Sequence, residues 1–238
     1  MTLNANSTTA KPAGKLYVVA TPIGNAGDIT TRAIETLAHA DVILCEEHRN
    51  GSRLLKSLGI AKPLLELNEH NEAERIQEVL LMLAQGQTLA LISDCGTPVF
   101  SDPGKKLLQL LYEMNIAVTP LPGASSLMAA LSVCPFDLEE FLFIGFLPVK
   151  TDQRRKKLSQ LKYSNYPLVL MDTPYRMQRL LEEVQQSFGK KQNIFLACDL
   201  TMPEERLYLG PVDEILPRIQ NRKSEFILIL DHPQIKPF

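Results

Sequence analysis

Short polar segments follow each of the first five apolar runs of the sequence, and their residue types suit the binding of small polar molecules. These segments begin at Thr21, Glu46, Asn68, Ser93 and Pro122. Glycines in such segments let the backbone approach a ligand closely, and Thr, Ser and Asn side chains can anchor ribose or carboxylate groups. Ordinary turns use the same residue types, so a single segment indicates only a turn. Five of them at the ends of successive strands indicate a binding site.

Charged side chains follow the second apolar run. Glu46, Glu47 and His48 can supply a general base, and Arg49 can hold a phosphate or pair with a carboxylate. We predict that Glu46, Glu47 and Arg49 are catalytic. A structural ion pair between Glu47 and Arg49 at a helix start is the alternative. No metal-binding spacing such as H-E-x-x-H occurs, so we expect His70 to be a polar loop residue and predict no metal site.

Apolar runs rich in Val, Ile and Leu alternate with stretches of helical spacing, which predicts five strands buried on both faces. The predicted strands are Leu16–Ala20, Val42–Leu44, Leu64–Leu67, Thr88–Ile92 and Ala117–Leu121. Asp28 is expected to cap the first helix, and Asp102, followed by Pro103, a later one. Five β-α repeats with short connections predict a parallel sheet with helices on both faces.

A second group of elements follows the prolines near Leu121. Its predicted strands are Phe141–Phe146, Leu168–Met171, Ile194–Ala197 and Phe226–Leu230. Gly189 is expected to end a helix, and the segment 211–220 is a candidate helix that contains Pro217. The predicted fold class is α/β, with a five-stranded mainly parallel sheet in the first domain, a mixed sheet in the second and a ligand cleft between them. We predict a flexible tail at 1–14 and domains at 15–121 and 122–238.

The composition excludes several classes of protein. Of the 238 residues, 45% are apolar and 22% are charged, which excludes global disorder. The net charge of −2 means that any nucleic-acid contact must come from a local basic patch. The sequence contains no apolar run of about 18 residues and begins with a polar stretch, so we predict a cytoplasmic protein without a membrane span or secretory signal. Widely spaced Cys45, Cys95, Cys134 and Cys198 predict reduced, mostly buried thiols.

The absence of two common nucleotide-binding motifs limits the class of ligand that the loops can bind. Neither G-x-x-x-x-G-K-[ST] nor a G-x-G-x-x-G after the first strand occurs, so the sequence supports neither a P-loop NTPase nor the common dinucleotide or methyltransferase loop. The loops therefore indicate a nucleotide-like small molecule that is bound without a phosphate cradle.

Several motifs carry a resemblance to a known family. The sequence resembles the bacterial 16S rRNA cytidine 2′-O-ribose methyltransferase family, within the tetrapyrrole (corrin/porphyrin) methylase superfamily. The matching segments are Thr21-Pro22-Ile23-Gly24-Asn25, Ser93-Asp94-Cys95-Gly96-Thr97-Pro98, Ser101-Asp102-Pro103-Gly104, Glu69-His70-Asn71-Glu72, Pro122-Gly123 and Phe143-Ile144-Gly145-Phe146-Leu147-Pro148. The similarity runs from about Lys15 to Leu209. The chain differs from the usual family pattern at Glu47-His48, at Asp172-Thr173-Pro174-Tyr175-Arg176 and at Met202.

The resemblance implies a two-domain methyltransferase that binds S-adenosylmethionine and 2′-O-methylates a ribose of 16S rRNA. It further implies that the partner is 16S rRNA or the small ribosomal subunit and that the protein is a homodimer. The residues that the resemblance assigns to the cofactor are Thr21, Pro22, Ile23, Gly24, Ser93, Asp94, Gly96, Thr97, Pro98, Pro122, Gly123, Ser125 and Ser126. Asp94 is placed to offset the positive charge of the sulfonium.

Three alternative functions stay open at this point. The first is an S-adenosylmethionine-dependent methylase of a small molecule or tetrapyrrole. The second is a metal-dependent hydrolase built on Glu46, His48, His70 and Asp94. The third is an inactive RNA-binding module that keeps the fold.

One segment of the second domain is rich in basic residues. Residues 150–162 contain six Lys or Arg against one acid, Asp152. RNA phosphates favour such a cluster. A solvated helix face, with Leu158 and Leu161 turned inward, is the interpretation that the cluster favours when taken alone.

Overall fold

The computed structural model describes residues 14–100, 102–220 and 222–232. The tail predicted at 1–14 therefore lies outside the described residues except for Gly14, and Ser101 of the fourth loop lies outside them as well. The described chain forms two compact units, the first extending through Ser125 and the second beginning at Ser126.

The first unit contains a five-stranded sheet whose strand order is β3-β2-β4-β1-β5. Its strands are β1 (Lys15–Val19), β2 (Val42–Cys45), β3 (Leu64–Glu66), β4 (Thr88–Ile92) and β5 (Ala117–Leu121). Every neighbouring pair is parallel, which confirms the predicted parallel sheet. Because all five strands run the same way, the loops that follow them emerge at one edge of the sheet, the carboxyl edge.

Helices cover both faces of this sheet, as predicted. They are α1 (Thr31–His39), α2 (His48–Ser57), α3 (Glu72–Ala84) and α4 (Lys105–Glu113). Buried side chains of α1 and α2, such as Leu37 and Leu55, pack on one face of the sheet. Buried side chains of α3 and α4, such as Val79 and Leu107, pack on the other. The outer strand β5 is partly exposed at Ala117, Thr119 and Pro120, so burial on both faces is limited to the central strands.

Both predicted N-caps are wrong. Thr30 caps α1, since its hydroxyl accepts a hydrogen bond from the Ala33 amide at 3.1 Å, while Asp28 lies in a preceding 3-10 turn. Gly104 occupies the N-cap position of α4 with φ 114°, so Asp102 and Pro103 lie before the helix. A short polar side chain is a good cap only where the backbone places it at the first free amides, and sequence spacing alone does not fix that position.

The second unit contains a mixed sheet whose strand order is β6-β7-β10-β8-β9. Its elements are α5 (Ser126–Val133), β6 (Leu142–Phe146), α6 (Thr151–Leu161), β7 (Leu168–Asp172), α7 (Met177–Phe188), β8 (Asn193–Cys198), β9 (Arg206–Pro211), α8 (Val212–Ile215) and β10 (Phe226–Leu230). Within the described part of this sheet, only β6 and β7 pair in parallel. This confirms the predicted mixed sheet and adds β9, which the sequence analysis did not predict.

Helices α6, α7 and α8 pack on one face of the mixed sheet, and α5 with the segment that follows it packs on the other. Gly189, with φ 101°, ends α7 as predicted. The segment 211–220 forms α8 and then a 3-10 turn that contains Pro217.

None of the helices in the described part of the chain is long and apolar enough to cross a lipid bilayer. No disulfide joins the four cysteines; Cys45 and Cys198 are buried, Cys134 is half-buried and Cys95 is exposed. The prediction of mostly buried thiols thus holds for two of the four.

Candidate functional site

Hydrogen bonds connect the loop after β1 to the loop after β4. The buried hydroxyl of Thr21 donates to the carbonyls of Ser93, at 3.0 Å, and Gly96, at 3.3 Å. The Thr21 amide also donates to the Gly96 carbonyl at 2.9 Å. The Cys95 thiol lies 3.6 Å from the Ile23 carbonyl. Thr21 therefore fixes the conformation of both loops through its buried hydrogen bonds.

Asp94 connects the loop after β4 to the start of α2. Its Oδ1 accepts from the Glu47 amide at 3.3 Å, and its Oδ2 accepts from Asn50 Nδ2 at 2.6 Å. The same Asn50 nitrogen donates to Glu47 Oε2 at 3.1 Å. The described part of the chain forms no ion pair between Glu47 and Arg49; the Glu47 carboxylate accepts from Asn50. Asn50 thus holds two carboxylates side by side at this edge.

Two further carboxylates hold neighbouring loops. Glu66, at the end of β3, accepts from the His48 amide at 2.9 Å. The buried Glu72 accepts from the Gly104 amide at 3.1 Å, which joins the start of α3 to the start of α4. These two acids therefore accept hydrogen bonds from backbone amides around the site and hold its loops in place.

The loop after β5 meets the loops after β4 and β1. Thr97 donates from its hydroxyl to the Ala124 carbonyl at 3.2 Å. A Cβ added at Gly123 would lie 2.9 Å from the Ala20 Cβ, so only glycine fits there without displacement. All five loops that the sequence analysis singled out are therefore neighbours in the first unit.

The loop after β4 is wound tightly. Gly96, Val99 and Gly104 have φ values of 84°, 72° and 114°. Glycine adopts this left-handed region without cost, but a β-branched residue such as Val99 is strained there. Val99 packs against the core of the sheet, and that contact offsets the strain.

The electrostatics of this edge favour protonation of Glu46. Burial raises the pKa of its carboxyl to about 7, and the negative charges of Asp102, Asp94, Glu47 and Glu69 add to that rise. Burial also raises the pKa of Asp102, against a hydrogen bond from Ser93 that lowers it. A carboxyl with a pKa near 7 can both accept and return a proton at neutral pH.

A cavity of about 400 Å³ opens beside these loops. This volume lies within the roughly 300–1,000 Å³ that is typical of small-molecule sites. Six of the predicted cofactor residues line it: Thr21, Pro22, Ile23, Gly24, Ser93 and Asp94. Gly96, Thr97, Pro98, Pro122, Gly123 and Ser125 lie on the adjoining loops, and Ser126 begins α5. None of these seven lines this cavity, and neither do Glu46, Glu47 and Arg49.

Helix α2 contributes a group of lining residues that the sequence pattern did not predict. These are Asn50, Gly51, Arg53, Leu54 and Ser57. Gly51 is buried, and a Cβ added there would lie 3.0 Å from the Cys45 thiol, so glycine lets α2 pack closely on the sheet. The signal for these residues would have been a helix prediction over the polar stretch after Arg49.

The chemistry of the lining suits an adenosyl sulfonium. Ile23, Leu54 and Ile92 provide an apolar wall for a planar base. The carboxylate of Asp94, which lines the cavity, supplies negative charge that complements a cationic sulfonium. The loop glycine Gly24 lets the backbone approach ribose hydroxyls. The residues present therefore fit the cofactor that the sequence predicts.

The alternative metal set is not assembled. The described residues contain no group of three or more His, Cys, Asp or Glu side chains that could hold a metal ion. His70 lies in the turn before α3, where its amide donates to Asn68 Oδ1 at 3.1 Å.

Comparison with known proteins places these features in a family. The family model for tetrapyrrole (corrin/porphyrin) methylases matches residues 15–216. The chain belongs to the tetrapyrrole methylase family. Two curated relatives are both named ribosomal RNA small subunit methyltransferase I. The one from Synechocystis sp. is 38% identical over 91% of this chain and 78% of its own length, and the one from Thermotoga maritima is 39% identical over 88% and 94%.

A solved structure supports the fold of this methylase. The uroporphyrin-III C-methyl transferase from Thermus thermophilus, complexed with S-adenyl homocysteine, is 17% identical and superposes with a TM-score of 0.63, covering 92% of this chain and 97% of that one. These comparisons confirm the predicted family, the predicted fold class and the predicted enzyme class, a methyltransferase.

Proposed function

We propose that this methylase transfers a methyl group from S-adenosylmethionine to a ribose 2′-hydroxyl of small-subunit rRNA. The convergence of five loops at the carboxyl edge of the parallel sheet carries the proposal, since open α/β sheets bind ligands there. When bound, the donor supplies an electrophilic methyl group on a sulfonium. In-line transfer needs little covalent help from the protein, so the residues of the chain act mainly by positioning and by moving a proton.

The donor would be held by the loops after β1, β4 and β5. Pro22, Ile23 and Gly24 form one wall of the cavity, and Ser93 and Asp94 form another. The Thr21 hydroxyl is already used in hydrogen bonds to the loop after β4, so Thr21 acts by fixing the conformation of the loops. Asp94, fixed by Asn50 and by the Glu47 amide, offsets the positive charge of the sulfonium.

Glu46 is the proposed general base. A ribose hydroxyl is a poor nucleophile until its proton is partly removed. As the new C–O bond forms and the C–S bond breaks, the hydroxyl proton passes to the Glu46 carboxylate. Arg49 is exposed at the start of α2 and is proposed to hold a phosphate of the acceptor strand. Glu47 is proposed to act through Asn50, by keeping Asp94 in place.

The acceptor follows from the relatives rather than from the cavity. Both curated relatives carry the name of a small-subunit rRNA methyltransferase and align with most of this chain. The family name alone also fits a tetrapyrrole as acceptor. The high identity to the rRNA enzymes favours RNA over a small molecule.

Transfer of labelled methyl groups tests the proposal. Purified protein is incubated with labelled S-adenosylmethionine and either small ribosomal subunits, stripped 16S rRNA or uroporphyrinogen III, and calorimetry measures binding of S-adenosylhomocysteine. We expect the label in a ribose 2′-O-methyl group of the RNA. Label only in the tetrapyrrole would refute the RNA acceptor, and no binding of S-adenosylhomocysteine would refute the donor site.

The proposal includes a cytoplasmic homodimer that does not act at a membrane. Light scattering on the purified full chain measures the oligomeric state. We expect a mass twice the 26.6 kDa of one chain. A monomer at micromolar concentration would contradict the dimer and leave the methyl-transfer proposal standing.

A further inference from the structure

The solvent face of α6 concentrates positive charge in a protein whose net charge is −2. Five cationic side chains are exposed on α6 or at its two ends, and we call this set the basic face. It consists of Lys150, Arg155, Lys156, Lys157 and Lys162. The sixth cation of the segment, Arg154, is buried and does not belong to this face.

Carboxylates neutralise little of the basic face. Surface helices commonly pair Lys or Arg with an acid three or four residues away. Asp152 is the one acid of the segment, four residues before Lys156, and no ion pair between them is formed in the described part of the chain. Arg155 lies 3.8 Å from Glu183, but that carboxylate already binds Arg154 through both oxygens. The cations of the basic face that lack an ion pair repel one another unless an anionic partner binds.

The buried Arg154 fixes the basic face on the second unit. Its guanidinium donates to Glu183 of α7 at 2.6 and 2.9 Å, and to the carbonyls of Pro148 and Val149 at 3.1 and 2.8 Å. These bonds tie α6 and the loop before it to α7. The exposed cations are therefore presented by a rigid helix rather than by a flexible segment.

An aromatic side chain extends the basic face. Tyr163 directly follows Lys162 and is 83% exposed, so its ring lies in solvent next to the last cation of the basic face. Single-stranded RNA is bound by cationic surfaces that contact phosphates and by aromatic rings on which bases stack. An acidic protein could form ion pairs with the lysines, but unlike RNA it offers no base on which the Tyr163 ring can stack.

We propose that the basic face and Tyr163 form an RNA-binding surface of this methylase, in which the lysines contact phosphates and the ring stacks on an unpaired base. This inference rests on the proposed RNA acceptor and adds where the RNA is held outside the candidate methyl-transfer site.

Salt-dependent binding tests the surface. Lys156→Gln/Lys157→Gln removes two exposed charges from α6, and Lys15→Gln/Lys190→Gln removes two exposed charges elsewhere. Filter binding to 16S rRNA is measured from 50 to 300 mM salt. We expect the slope of log affinity against log salt to fall by about 1 to 2 in the α6 variant, with affinity about 10-fold weaker at low salt. The control keeps the slope of the unmodified protein.

Tyrosine variants and kinetics complete the test. Tyr163→Ala should weaken RNA binding roughly 10-fold, and Tyr163→Phe should restore it because the ring stacks without its hydroxyl. In methyl transfer, the α6 variant should raise KM for RNA and leave kcat and the affinity for S-adenosylhomocysteine unchanged. An unchanged salt slope, an equal change in the control, or displacement of RNA by polyglutamate at equal charge would overturn the surface. Failure of the unmodified protein to bind RNA would instead refute the proposed acceptor.

Discussion

Glu46 combines burial with four neighbouring acids, and this combination decides its protonation. Its pKa of about 7 means that the carboxyl is about half protonated at neutral pH. In the unfolded chain, the same group titrates near 4.5. Ionisation of Glu46 therefore costs the folded state free energy, and this cost appears as pH rises from about 4.5 through about 7.

Glu46→Gln separates catalysis from binding. We expect kcat to fall by about 100-fold or more, since a general base contributes on the order of 10²–10⁴. The affinity for S-adenosylhomocysteine should change little. In the unmodified enzyme, log kcat should rise with pH up to about 7, and the variant should lack that rise. Glu113→Gln, an exposed acid at the end of α4, is the control and should retain full activity.

The same variant has a stability signature. At pH 8, Glu46→Gln should be more stable than the unmodified protein by about 1–3 kcal/mol, because the cost of ionising Glu46 is removed. At pH 4 the difference should vanish. Urea unfolding at both pH values measures this, and an equal difference at both would show that Glu46 is not buried among charges.

Asn50 acts through two carboxylates. Asn50→Asp replaces the donor that bridges Glu47 and Asp94 with a third negative charge. We expect about 10-fold weaker binding of S-adenosylhomocysteine, because the added charge repels the carboxylates that Asn50 holds in place. Calorimetry measures this. Asn165→Asp, which adds the same charge at an exposed site of the second unit, should bind like the unmodified protein.

At the scale of elements, the tightly wound loop after β4 determines the shape of the candidate site. Gly96→Ala strains the backbone at φ 84° and places a Cβ 3.1 Å from the Ile23 side chain. Gly59→Ala, with φ 68° and no atom within 4 Å of the new Cβ, carries the same kind of strain without the contact. Both should lose about 1–2 kcal/mol of stability. Only Gly96→Ala should weaken donor binding, measured by calorimetry, and equal binding by both variants would contradict a role for this loop.

The pairing of α6 with α7 depends on a buried ion pair. Burial raises the pKa of the Glu183 carboxyl, but Arg154 and Arg179 outweigh that effect and leave the pKa lowered. Arg154→Met leaves Glu183 buried without its bidentate partner, and we expect a loss of about 3 kcal/mol. Arg154→Met/Glu183→Met should recover most of it. Arg75→Met, which breaks an exposed pair with Glu78, should cost under about 1 kcal/mol in the same urea experiments.

Much of the element pattern follows from apolar periodicity. The bounds of β4, β5 and β10 are those predicted, because these strands are continuous apolar runs or end at prolines and glycines. Helix α2 was not predicted because its sequence is mostly polar and contains a glycine, Gly51. A glycine is needed at this position because the helix packs closely on Cys45. Strand β9 was missed because it is an edge strand with exposed Leu207 and Leu209.

The location of the candidate site could be predicted from the sequence, but some of its residues could not. Parallel strands bring their carboxyl ends together, so the meeting of the five loops followed from the strand pattern. Asn50 and Arg53 could not be assigned to the site because helix α2, which carries them, was not predicted. The N-cap residues could not be assigned because they depend on the backbone conformation, and sequence spacing does not determine that conformation. The roles of individual residues in donor and acceptor binding stay predictions.

At the scale of the whole molecule, each unit has its own core, and each core holds a buried thiol. Burial raises the pKa of Cys45 in the first unit and of Cys198 in the second to about 12. Both thiols thus stay protonated and unreactive in the native protein. Above pH 9, unfolded thiols ionise while the folded ones do not, so stability falls as pH rises beyond that value.

Thiol labelling reports on both units at once. We expect native protein to react with a thiol reagent at the exposed Cys95, and Cys45 and Cys198 to react only after unfolding in urea. S-adenosylhomocysteine should slow labelling of Cys95, which lines the candidate cavity. Mass spectrometry of the labelled peptides measures each site. Fast native labelling of Cys198 would contradict its burial in the second core.

The prolines of the first unit have a consequence for how it avoids aggregation. Leu121 of the outer strand β5 turns its carbonyl towards the Ala20 amide, so the alternate residue Pro120 directs its backbone away from the sheet. Proline has no N–H, and the row of donors that an incoming strand of another chain would need is interrupted there. The opposite outer strand, β3, is only three residues long. Both borders of this sheet are thus poor templates for intermolecular β-pairing.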